Sequence, residues 1–222
     1  VSAFCLRPRS CWCTRAHFAY RPLGGAHSTA ASSSVSTSSA TSEAAARFVG
    51  SQACVGCHST EHSAWQTSQH AHAMAHAGPE AVLGNFADQT FEYAGISSHF
   101  SQRDGRYFVT TDGPDGTLTK FEVLHTFGIE PLQQYLVDLG GGRLQALSIA
   151  WDSRPAEQGG QRWFHIYPDE AVTHRDPLHW TQPSQNWNFM CADCHVTDFR
   201  KGYSASTDTL DSRWAEMGVG CE

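Results

Sequence analysis

The sequence predicts an α+β fold in which short helices surround two CxxCH motifs, an antiparallel β-meander is inserted between them, and much of the remainder is irregular loop. Three observations carry this expectation. The motifs, Cys54, Cys57, His58 and Cys191, Cys194, His195, stand far apart, with 133 residues between Cys57 and Cys191. Inside that interval the runs "YFVTT" and "TKFEVLHTF" flank "DGPDG", and "QYLVDL" and "RLQALSIAW" flank "GGG", which are hairpin signals. Beyond Pro168, "HRDPLHWTQPSQNWNF" combines two prolines with several polar residues, as loops that position ligands do.

Residues 51–77 lack proline and offer Ala, Gln, His and Trp, which allows one or two short helices around the first motif. The meander should hold four or five strands between about 90 and 151, with a turn at "QRDGR" and a continuation in "RWFHIY". Residues 1–47 are different in kind, being rich in Arg and Ser with Glu43 as their single acid, and they read as a disordered or leader-like tail. The division expected is therefore a tail, 1–47, and one domain, 48–222. The closing "GVGCE" looks like the start of a further cysteine motif, so the domain is expected to be truncated and the chain to be a fragment at both ends.

Charge narrows the class of partner. Outside the tail, ten basic groups face twenty-one acidic ones, a net charge near −11. Nucleic acid, which demands Lys and Arg clusters, is a poor partner for such a surface, whereas a protein with a basic docking face suits it. No run approaches the eighteen or so apolar residues of a membrane helix.

The motifs themselves admit three chemistries. Two CxxC knuckles can hold zinc, but zinc ribbons separate them by about fifteen to twenty residues and leave no use for the histidine after each. A redox dithiol expects one CxxC opening a helix after a strand. Covalent haem uses both cysteines and the histidine of each motif: two thiols three residues apart add to two vinyl groups, and the next residue, His, sits under the iron. Haem c at two sites is thus the favoured cofactor, with His58 and His195 as proximal iron ligands. Sixth ligands are available among His70, His72, His76 and Met74 near the first motif and His165, His174 and His179 before the second. Any single one of these is as readily a solvated surface residue, and for His99, His125 and His174 a surface or hydrogen-bonded role is favoured.

By its motifs the chain resembles multihaem cytochromes c with a cytochrome c-552/4 domain, a family often found with tetratricopeptide repeats. The resemblance runs from about Val49 onward, through "VGSQACVGCH", "SQHAHAM", "FEVLHTFGIEPLQQYLVDLGGGRLQALSIAWDSRP", "RWFHIYP", "DPLHWT", "QNWNFMCADCH" and "VGCE". It implies that Cys54, Cys57, Cys191 and Cys194 hold haem, that Cys221 is the first thiol of a third motif, and that His58 and His195 are proximal ligands. It further implies that His70 is a distal ligand and that His165 and His179 ligate other irons. The function implied is relay of single electrons through bis-histidine haems in an extracytoplasmic respiratory chain, periplasmic or, less in keeping, an organelle intermembrane space. An electron carrier is expected rather than a catalyst. The alternatives are a multihaem oxidoreductase acting on a small nitrogen or sulfur compound at an open haem, and a haem-containing docking or sensing module.

Overall fold

In chain order, the first motif lies between a 3-10 turn, Ser51–Cys54, and the helix α1, Ser59–Gln66. The computed structural model describes residues 47–222, all within one unit, Ala45–Glu222. The expected tail lies, Arg47 excepted, outside the described residues. Nine strands follow α1: β1 (Met74–His76), β2 (Gln89–Tyr93), β3 (Ile96–Arg103), β4 (Arg106–Asp112), β5 (Leu118–Phe127), β6 (Leu132–Asp138), β7 (Leu144–Ala146), β8 (Ile149–Asp152) and β9 (Arg162–His165). They form one antiparallel sheet in the order β2-β3-β4-β5-β6-β8-β9, with β1 added to β5 and β7 to β6.

This sheet dominates the described residues, and the expectation of an α+β fold, with short helices around the motifs, an inserted meander of four or five strands and much irregular loop, is overturned. The end strands β2 and β9 come together, where Tyr93 stacks on His165 with ring centroids 3.6 Å apart, so the sheet curls into a nearly closed barrel. The cause lies in its aromatic residues. Strands that alternate polar and apolar residues have one face to bury, and here they wrap it around Phe86, Phe100, Tyr135 and Trp163. Phe86 meets the other three edge-on, and Phe100 stacks on Trp163 at 3.7 Å. Tight turns keep consecutive strands adjacent: Asp104 and Gly105 both take positive φ, 52° and 74°, between β3 and β4, the two-residue geometry that matches strand twist.

Among the described residues α-helix is confined to α1, α2 (Trp187–Met190) and α3 (Ala192–His195), the last two of four residues each. Residues 74–76, allowed as helix by composition, are instead β1, because their alternate side chains find partners on β5: Met74 opposite Phe127 and His76 opposite His125. Two two-residue ladders follow, with β10 (Val196–Thr197) paired to β13 (Glu216–Met217) and β11 (Tyr203–Ser204) to β12 (Thr209–Leu210). A second apolar cluster, outside the barrel's aromatic core, joins Met74, Phe127, Leu136, Trp187, Ala192 and Val196.

Candidate functional site

Local hydrogen bonding shapes the first motif. The Cys54 carbonyl accepts from the Cys57 and His58 N–H groups at 3.2 and 2.9 Å, and the His58 carbonyl then accepts from His62 to start α1. Cys54, His58, Glu61, His62 and Trp65 line one open cleft of about 360 Å³, with Cys221 completing the wall. Cys57 and His58 are exposed, while Cys54 is half-buried. Partial burial, with Cys221 and Glu222 beside it, raises the Cys54 thiol pKa. His70 is exposed and is not among the residues lining the cleft. His62 is: one helical turn after His58, it is buried against Trp65, at 5.2 Å between ring centroids. Sequence reasoning passed over His62, although its i+4 spacing from His58 on a helix was visible.

The second motif grows out of the second apolar cluster. Asn186 caps α2, its side chain accepting the Phe189 N–H, and Asn188, fully buried, accepts from Leu144 and donates to Ser212. Trp187, also fully buried, packs edge-on against Phe199 and Trp214. From this base α3 carries Ala192 inward and leaves Cys194 exposed, with Cys191 half-buried. Burial, and Cys194 beside it, raise the Cys191 thiol pKa.

His195 supplies a test of whether the residues fit an iron-ligating role. Its Nδ1 stands 2.8 Å from the Ala73 carbonyl, which can only accept, so Nδ1 carries the proton and Nε2 the free lone pair. Phe127 packs edge-on against the ring at 5.4 Å, fixing its plane. A neutral imidazole oriented through Nδ1–H is the form in which protein histidines bind metals. Half-buried His195 and the thiols of Cys191 and Cys194 therefore suit covalent haem. Among the described residues no three His, Cys, Asp or Glu side chains converge on a bare metal position.

Residues 216–221 tie the two motifs together. Glu216 accepts from the Ser51 N–H at 2.9 Å and from Ser51 Oγ at 2.6 Å, and Ser51 Oγ accepts from the Cys221 N–H. Trp65 Nε1 donates to the Val219 carbonyl at 2.7 Å, and the Val219 N–H to the His70 carbonyl. On the other side, Thr197, two residues after His195, accepts from Gly220 and donates to Gly218. Gly218 has φ 77° and faces the His70 and Ala71 carbonyls, leaving no room for a side chain there. Motifs more than a hundred residues apart in sequence thus flank one short segment.

His165 and His179 lie elsewhere. They line a small cavity of about 20 Å³ at the barrel seam, with room for one water. His179 Nε2 is 3.1 Å from Asp112 Oδ2 and its Nδ1 2.8 Å from Thr181 Oγ1. Burial pushes Asp112 up, but the His179 hydrogen bond and charge outweigh it and hold the carboxyl below its ordinary value. His165 Nδ1 accepts the Tyr167 N–H, and burial lowers its pKa to about 4. The structure does not bring these two rings into the cleft of the first motif.

Residues 53–102 match the family model of cytochrome c554 and c-prime. No curated protein matches the chain. A solved structure, that of the outer cell wall cytochrome OcwA, is similar over 79% of this chain and 30% of its own length, with 20% identity and a TM-score of 0.44. The chain thus spans less than a third of that cytochrome. The family match takes in the whole of the first motif and supports the resemblance to multihaem cytochromes c.

Proposed function

We propose that this chain is a c-type haem protein that transfers single electrons outside the cytoplasm. The observation that carries the reading is the second motif, where two thiols and an imidazole with its Nε2 lone pair free are held on a rigid apolar base. Covalently held haem supplies a one-electron redox centre. Cys191 and Cys194 would attach one such group and Cys54 and Cys57 another, with His195 and His58 as ligands from the protein; Cys221 extends the donor set beside Cys54. His70 remains the distal candidate proposed for the first site, and His62 joins it because it lines the same cleft. His165 and His179 would serve as ligands only by giving up their present partners, Tyr167 and Asp112.

Cys57, His58 and Cys194 are exposed, so both attachment points stand where a partner can approach without crossing the barrel. The acidic surface favours a basic redox partner, and rates of encounter should fall as salt is raised. No helix among the described residues is long and apolar enough to cross a membrane. The family match and the motifs together support a place outside the cytoplasm, since c-type attachment normally takes place there; relay within a respiratory chain is the role we propose for it.

A pyridine haemochrome spectrum of the chain produced with c-type maturation machinery tests the reading. At least two covalent haems are expected, low-spin in the ferric state, with one lost in each of Cys54→Ala/Cys57→Ala and Cys191→Ala/Cys194→Ala. Absence of covalent haem would sink the proposal, and a high-spin population would turn it towards catalysis.

A further inference from the structure

Strands β1 and β5 carry two histidines that the electron-transfer reading leaves unused. His76 stands opposite His125, with ring centroids 5.0 Å apart and planes inclined by 33°. The Ala77 N–H bonds the Leu124 carbonyl at 2.9 Å, which makes this a non-hydrogen-bonded pair, the kind whose opposed side chains stand closest. The backbone is irregular at the same point. Val123 faces Val137 but His125 faces Leu136, so Leu124 is an extra residue on β5, placed where the flanking strand changes from β4 to β1. Bulges of this type re-aim the side chains beside them.

His125 is 8% exposed, and its Nδ1 is buried without a hydrogen-bond partner. A ring nitrogen in that position costs stability unless something binds it. Trp214 stands edge-on to the ring at 5.9 Å, and a cavity of about 200 Å³ opens beside it, lined by Leu144, Asn188, Ser212 and Trp214. His76 faces solvent, so the pair has one buried and one accessible member. Burial, and after it the neighbouring His76, lowers the His125 pKa to about 4.

We propose that His76 and His125 form a two-imidazole site for a divalent cation of borderline softness, of the Zn²⁺ and Cu²⁺ class, with water completing the coordination. Imidazole nitrogen suits these ions better than Mg²⁺ or Ca²⁺, which take oxygen. Asp211 lines the same cavity but is ion-paired with Arg213 at 2.6 Å, which leaves the two rings as the protein's donors. The site stands on β1 and β5 and does not depend on haem attachment.

Equilibrium dialysis of the haem-loaded full chain against Zn²⁺, in wild type, His76→Ala and His125→Gln, is the test. One Zn²⁺ is expected to bind at least tenfold more weakly in each variant, with the haem spectrum unchanged. Equal binding in all three proteins would overturn the site. So would a change of haem spin state in either variant, which would make that ring an axial ligand. His76 is exposed, so His76→Ala keeps the fold and decides alone where His125→Gln does not fold. Should the chain carry no haem, the same Zn²⁺ comparison is still decisive for this site while the electron-transfer reading fails.

Discussion

The two CxxCH motifs have the same sequence pattern and opposite surroundings. The second rests on Trp187, Asn188 and Ala192, each no more than 1% exposed. The first presents Cys57, His58 and most of α1 to solvent and is held mainly by hydrogen bonds to residues 216–222. One is made rigid by buried apolar area, the other by a polar strap. An apolar base is strong and is lost only with the fold, whereas a strap of hydrogen bonds can open locally while the barrel stays intact.

Trp187→Ala should give the largest effect. Removing a fully buried indole that packs on Trp214 and Phe199 should cost about 3–5 kcal/mol, read as a shift in urea unfolding. A loss below about 1 kcal/mol would mean that the second motif is not built on this core. Next is Glu216→Ala, which removes both acceptors of Ser51 and should cost about 1–3 kcal/mol. That loss should be local: amide exchange should quicken over residues 51–58 and stay unchanged in β3 to β6. Uniform acceleration would erase the contrast between the motifs.

A third effect is set by pH. The folded pKa of His125, about 4, lies below the ordinary histidine value, so the unfolded chain binds the extra proton between about pH 6.5 and pH 4. Stability should therefore fall as pH drops through that window, by at most about 1.4 kcal/mol per unit. The urea midpoint at pH 5 should lie below that at pH 7, and His125→Phe should reduce the difference; an unchanged difference would show that His125 is not the group responsible. Smallest is a difference in thiol reactivity before haem attachment. Burial raises the Cys191 pKa, so alkylation at neutral pH should be several-fold slower there than at exposed Cys194. Equal rates would mean that the second motif is looser than its packing suggests.

These contrasts also mark what could be read from the sequence. The motifs, the Asp104-Gly105 turn and the strands between 90 and 151 were legible because each is a local signal: thiol spacing, turn chemistry and alternation of period two. The barrel was not. Its closure depends on Tyr93 meeting His165 across the whole sheet, and nothing in either strand announces the other. β1 was hidden for the same reason, its three residues becoming a strand only because β5 offers partners. The strap was invisible because Glu216 and Ser51 are ordinary residues until the fold places them together. His125, assigned a surface or hydrogen-bonded role, is buried with its Nδ1 unpaired, beside the bulge at Leu124.

The strap also sets a schedule for the newborn chain. Its contacts link positions 165 and 173 residues apart, so the first motif leaves the ribosome long before Glu216 or Glu222 exists to fasten it. At translation speeds of about 5–20 residues per second that interval lasts roughly ten to thirty seconds. Throughout it Cys54 and Cys57 belong to an unfastened peptide, open to any enzyme that must reach their thiols.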